Sequence, residues 1–248
     1  LIGLAEIQGQ APLDELVTMP PFNSEYGVIH YDSMDERGVD VALLYDKSKI
    51  EILSSEPITY FFEIEDDHPA NYDTTRDILH CRIKYEAEII NVFVLHLPSK
   101  REKDVNKPKR EFILNDIHKK IINIISKTTE AVLICGDFNE NPDDENITNL
   151  LYDSDLNKML VNPSLELYKN KNFSTFYYKD GLLFDQILLS NNFFEENSAL
   201  KFAEAKVFNH PKLANWVGNF KSKPFRTFAG TRYLGGYSDH FPVLTQFL

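Results

Sequence analysis

Residues 131–142 read AVLICGDFNENP. The opening residues are apolar and partly β-branched, as a strand in a covered sheet requires. At Gly136 the run breaks into Asp137 and Asn139, polar groups that a buried strand does not need. The same construction recurs on either side: Glu6 in GLAEIQ (3–8), His96 in IINVFVLHL (89–97), Asp185 in FDQILLS (184–190), and Asp239 and His240 in YSDHFPV (237–243). A lone aspartate after a strand is commonly a turn former, and a lone histidine is commonly a satisfied structural group. Repetition at the margins of so many short apolar strands points to one shared site.

VDVALLY (39–45) and PVLTQFL (242–248) are further strands of this kind. Between the strand ending at His96 and that beginning at Ala131 lies PKREFILNDIHKKIINIISKTT (108–129). Its Pro108 suits a first helical position, and Leu114, Ile117, Ile121 and Ile124 recur at helical spacing. An amphipathic helix packed on a sheet is predicted there, its isoleucine stripe belonging to the core. Neither repeats nor low-complexity tracts interrupt the pattern.

The chain has 248 residues, 43% of them hydrophobic and 12% aromatic, enough to bury a large core, and it reads as one domain over 1–248. No run approaches the length of a membrane span and no basic leader opens the chain, so a soluble monomer is expected, cytoplasmic or exported. The opening LIGLAEIQ reads as the end of a buried strand, with the expectation that a first strand segment precedes it. Cys81 and Cys135 sit in apolar runs as small buried hydrophobes, with neither a disulfide nor a cysteine-bound metal expected.

Net charge is −12, which argues against coating a polyanion by bulk attraction. The charge is unevenly distributed. Residues 97–110 carry +4 and residues 206–238 carry +6 without a single Asp or Glu, leaving −22 for the rest. Each basic segment adjoins one of the histidines singled out above, and together they are read as an anion-binding rim.

The motifs AEIQ, RGVDVALLY, HLPSK, GDFNENP, FDQILLS and YSDHFPV, in this order and over nearly the whole chain, resemble those of the endonuclease/exonuclease/phosphatase superfamily. The resemblance implies a four-layer α/β sandwich, two packed mixed β-sheets flanked by helices. It implies a divalent-metal-dependent phosphoric ester hydrolase, with Glu6 the principal metal ligand and Asp239 contributing. His240 would stand at the reacting phosphate with its tautomer held by Asp185. Asp137 would orient or deprotonate water, Asn139 would bind a phosphoryl oxygen, and His96 would contact phosphate or protonate the leaving group. The base stays open between Asp137 and His240. Arg37 and Arg226 would bind substrate phosphate, with Asp40 supporting Arg37. Oxygen ligands without cysteine suit Mg²⁺, with Mn²⁺ or Ca²⁺ as alternatives. The expected substrate is nucleic acid, cut as by an endonuclease; a small or lipid-attached phosphate ester is the alternative.

Competing readings fail on particular residues. DFNENPDDEN opens like a calcium loop, but Pro142 replaces the required Gly and the twelfth residue is Thr148. No G-x-S-x-G marks a serine hydrolase. His30, His68, His80, His118 and His210 lack comparable context and are expected to be ordinary surface or core histidines.

Overall fold

The computed structural model describes residues 1–63, 72–100 and 103–248. His68, and Arg101 and Glu102 of the basic run, lie outside the described residues. The elements that build the site are β1 (Ile2–Ile7), α1 (Ala11–Thr18), β2 (Tyr26–His30), β3 (Asp40–Asp46), β4 (Ile50–Ile58), β5 (Ile78–Tyr85), β6 (Glu88–His96), α2 (Lys107–Lys127), β7 (Ala131–Asp137), β8 (Leu160–Val161), β9 (Asp185–Ser190), β10 (Phe202–Val207) and β11 (Val243–Phe247). A six-stranded sheet runs in the order β8-β9-β7-β6-β5-β4, and a three-stranded sheet in the order β1-β3-β2. Within the larger sheet β6 and β7 are parallel and the other neighbours antiparallel. The smaller sheet is antiparallel throughout, where a mixed one was expected. β10 and β11 form a separate antiparallel pair.

Alternation along the strands creates the layers. In β3, Ala42 and Leu44 pack with Leu13 of α1, whereas Val41 and Leu43 face the large sheet and meet Leu79, Val92 and Val94. In β6, Phe93 and Leu95 point the other way, onto Ile113, Ile117 and Ile121 of α2. The order is helix, small sheet, large sheet, helix. Each fully buried Leu, Ile or Phe at these faces contributes ~1.5–3 kcal/mol through removal of apolar surface from water. The helix predicted from Pro108 forms, with Leu114, Ile117 and Ile121 buried and Ile124 against the same core. No helix among the described residues is long and apolar enough to cross a membrane.

Two sequence expectations need correction. LIGLAEIQ does form a strand, but its residues are exposed or half-buried, so its apolar character is not that of an enclosed strand. Among its described cations, Lys103 apart, the basic run 97–110 is not a free rim. Arg110 is fully buried, donating from Nε to Glu140 at 2.7 Å, from Nη1 to the Pro98 carbonyl at 3.1 Å and from Nη2 to Asp104 at 2.6 Å. Lys100 bridges Glu140 and Asp144, Lys109 pairs with Asp73, and Lys107 with Glu111. Arg110 holds the loop after β7 against α2, and Lys100 ties the same loop to the chain beyond β6. Removing one partner of a buried ion pair leaves the other charge uncompensated, so Arg110→Ala is expected to cost about 3–5 kcal/mol. Urea unfolding of the variant checks this; a loss below about 1 kcal/mol would mean that Lys100 alone satisfies Glu140.

Candidate active site

Parallel pairing of β6 with β7 sets His96 opposite Asp137, and antiparallel pairing of β7 with β9 sets Asp185 opposite Asp137 on the other side. Three adjacent strands thus end in a row of polar groups. Gly136 permits the first pairing. It adopts φ +139, and a Cβ built on it would lie 1.9 Å from the Leu95 carbonyl oxygen. Only a residue without a side chain tolerates both conditions.

The row extends in one direction to His240, whose Nδ1 lies 2.7 Å from Asp185 Oδ2. In the other direction His96 Nε2 lies 3.5 Å from Asp137 Oδ2. Asp137 Oδ1 accepts the backbone N–H of Asn139 at 2.8 Å, and the Asn139 side-chain amide donates to the Leu97 carbonyl at 2.9 Å. The His240 loop is stitched to neighbouring chain: Thr175 donates its hydroxyl to the Asp239 carbonyl, and the Phe241 N–H donates to the Ser174 carbonyl.

Two of these residues hold left-handed backbone, Glu6 at φ 60 and Asn139 at φ 50. For non-glycine residues this costs conformational energy and tends to mark places where a side chain is re-aimed. At Glu6 the pairing of β1 with β3 shifts register between Ala5 and Ile7, a bulge that turns the carboxylate out of the ladder.

All the expected site residues except Arg226 and Asp40 line one cleft of about 920 Å³. Arg226 is exposed and donates to the Phe176 carbonyl at 3.1 Å. Asp40 does not support Arg37. It is buried, accepts the Ser33 N–H and lies 3.4 Å from His30 Nε2. The carboxylates beside Arg37 are instead Glu6 at 3.6 Å and Asp35 at 3.7 Å, because the loop folds back on Asp35 before reaching Asp40.

Sequence reasoning missed Arg76. Buried, it donates to the carbonyls of His96 and Leu97 and to Asp35, fixing the end of β6 from below. The one available signal was a charged pair, Arg76-Asp77, directly before an apolar strand. Glu140, the buried partner of Arg110 and Lys100, was also missed, although it lies within GDFNENP itself.

Electrostatics separates the groups. Desolvation, then the Asp185 charge, raises Asp137 from 3.8 to about 7, against the opposing pull of His240, the Asn139 N–H and Arg76. For His240, desolvation lowers the pKa, but the charge and hydrogen bond of Asp185, with Asp137 and Asp239 behind, outweigh it and raise the group from 6.5 to about 10. The cleft concentrates negative charge that a divalent cation would relieve, and the exposed carboxylates of Glu6 and Asp239 are hard oxygen donors suited to one. Cys135, also on the cleft wall, is held neutral because desolvation pushes its thiol to about 12.

A family model described as endonuclease/exonuclease/phosphatase matches residues 1–247. The chain belongs to this family. Its members are phosphoesterase hydrolases that typically use divalent metals. No curated protein sequence matches the chain significantly. Among solved structures, D. rerio TDP2 complexed with a single-strand DNA product superposes with TM-score 0.61 and 17% identity, covering 99% of this chain and 84% of that one. A Bacteroides thetaiotaomicron mannosyl-6-phosphatase superposes with TM-score 0.63 and 16% identity at the same coverage. A family protein from Bacteroides vulgatus reaches 0.62 at 15%, with coverage of 99% and 83%. At these identities the likeness carries the fold, the four-layer sandwich described above, as in the other members of the endonuclease/exonuclease/phosphatase family.

The raised His240 pKa makes a signed prediction. The native state holds this proton more tightly than the unfolded chain does. The resulting stabilisation is complete below pH 6.5 and lost as pH rises through about 10. Asp185→Asn removes the main cause of the rise, so the imidazole should titrate well below about 10 by NMR. The variant's stability deficit in urea should be largest below pH 6.5 and fade towards pH 10. A deficit independent of pH would show that Asp185 acts through packing alone.

Proposed function

We propose that the protein is a divalent-metal-dependent phosphodiesterase that cleaves nucleic acid internally. The observation that carries the reading is the row His96, Asp137, Asp185 and His240 beside Glu6 and Asp239 in a single cleft. Glu6 and Asp239 would hold the cation. When bound, it neutralises charge building on the phosphoryl and leaving oxygens.

The chain's own residues do the rest. Asp137, with its pKa near neutrality, is matched to taking the proton from water as the water oxygen bonds to phosphorus and the bond to the leaving oxygen breaks. His240 stays protonated and presents positive charge to the phosphoryl oxygens, held in place by Asp185 at 2.7 Å. Asn139 retains one amide hydrogen for the substrate after donating the other to Leu97. His96 backs Asp137 from the side opposite Asp185. This assigns the base to Asp137.

Support for nucleic acid comes from the segment after β10. Trp216, Phe220, Phe228, Tyr233 and Tyr237 are all exposed, Trp216 at 73%, and are interleaved with Lys221, Lys223, Arg226 and Arg232. Tyr237 lines the cleft. Exposed rings among cations suit stacked bases and phosphates. The single-strand DNA product bound by D. rerio TDP2 agrees with this choice. A second reading, a phosphomonoesterase on a sugar phosphate, is favoured by the internal pairing of Lys100, Lys109 and Arg110, which leaves fewer cations of the 97–110 run for a polyanion.

The test compares kcat/KM for plasmid, single-stranded oligonucleotide and a sugar 6-phosphate with Mg²⁺ or Mn²⁺, over a range of salt. Polynucleotide cleavage should dominate and fall with salt, by roughly 0.7–0.9 in log slope per phosphate neutralised. Changing Lys221, Lys223 and Arg226 to Ala should flatten that slope. Glu6→Ala should depress turnover by orders of magnitude with the fold intact. A sugar phosphate turned over better throughout, with no salt dependence, would replace the nuclease by the phosphatase.

A further inference from the structure

His30 ends β2 and Asp40 begins β3, closing a loop, residues 31–39, that carries Arg37 to within 3.6 Å of Glu6. The His30 side chain is 2% exposed, yet its Nε2 is buried with no hydrogen-bond partner. A buried imidazole nitrogen left in this state is destabilising unless something meets it. Facing it at 3.4 Å is Asp40 Oδ2, while Asp40 Oδ1 is engaged by the Ser33 N–H at 2.9 Å. The exposed Asp32 completes a group whose three ligand atoms lie within 4.8 Å of one another. Among the described residues, no other His, Cys, Asp and Glu side chains gather three ligand atoms so closely. Asp40 and His30 are both outside the lining of the catalytic cleft.

We propose that His30, Asp32 and Asp40 bind a divalent transition-metal cation, Zn²⁺ by preference, at a site separate from the catalytic one. Tetrahedral coordination with bonds near 2.1 Å places neighbouring ligand atoms about 3.4 Å apart, the separation that His30 Nε2 and Asp40 Oδ2 already hold. Asp32 lies on the surface, and its carboxylate, within 4.8 Å of the other two ligand atoms, has at most about 1.4 Å to close to reach the same spacing, with water as fourth ligand. One imidazole with two carboxylates suits Zn²⁺ better than Mg²⁺, which prefers oxygen alone. An ion here clips both ends of the 31–39 loop. It thereby stiffens the chain that brings Arg37 to Glu6, and it gives His30 a role that its sequence context did not indicate.

The site is independent of the phosphodiesterase reading and is tested without turnover. Chelator-stripped protein carrying Glu6→Gln and Asp239→Asn, which disable the catalytic ligands, is titrated with Zn²⁺ by calorimetry. Tryptic cleavage after Arg37 is followed in parallel. One equivalent should bind and slow that cleavage. Adding Asp32→Asn or His30→Gln should each weaken binding by about 100-fold or more and restore the cleavage rate. Asp32→Asn decides the case if His30→Gln does not fold, because Asp32 is exposed. Absence of Zn²⁺ binding in the stripped double variant, or binding that survives Asp32→Asn or a folded His30→Gln, would overturn the proposal.

Discussion

The close approach of Ala131–Asp137 to Glu88–His96 is the constraint on which the rest of the site depends. It requires a residue without a side chain, in a backbone conformation other residues avoid, one position before the strand ends. Given Gly136, Asp137 must stand beside His96, and antiparallel pairing on the other edge must bring Asp185 alongside. Arg76 and Arg110 then fix the chain beyond each strand end, the first by holding the His96 and Leu97 carbonyls, the second by anchoring Glu140. The geometry of the candidate site is thus a property of sheet register, with buried arginines as braces.

That register also underlies the division of chemical labour proposed for the site. Asp137 and Asp185 are neighbours across strands, so their negative charges repel and one carboxyl is driven toward neutrality. Desolvation selects Asp137. Asp185, closer to His240, transfers its influence to the imidazole and keeps it cationic. In the proposed mechanism two like groups a strand apart take opposite tasks, one to accept a proton near pH 7 and one to support a positive charge well above it. The bulge at Glu6 and the left-handed turn at Asn139 serve the same end by aiming side chains that regular strands would point elsewhere.

Much of this was legible in the sequence because strand ends announce themselves. VFVLH and CGDFN change from apolar to polar where a strand ends, FDQILL from polar to apolar where one begins, and the helix after Pro108 carries its core stripe at the right spacing. Less legible was where charges go. Lys100 and Arg110 look solvated in a basic run because their partners, Glu140 and Asp144, lie 30 or more residues further on. The same separation hid Arg76, whose carboxylate partner Asp35 is 41 residues away. Asp40 was assigned to Arg37 by proximity in sequence, whereas hairpin pairing brings it to His30. Local pattern reveals which side chains are polar at strand ends; only tertiary register reveals which of them meet.

In the proposed mechanism Asp137 and His240 do different work because Asp185 sits between them. The most direct test is the pH dependence of kcat for phosphodiester cleavage in the wild type and in Asp185→Asn. The wild type should rise with pH through about 7 as Asp137 ionises and decline toward about 10 as His240 loses its proton. In the variant kcat should drop and both limbs should move to lower pH, since the charge that raised both groups is gone. Limbs that stay where they were, at undiminished kcat, would contradict it.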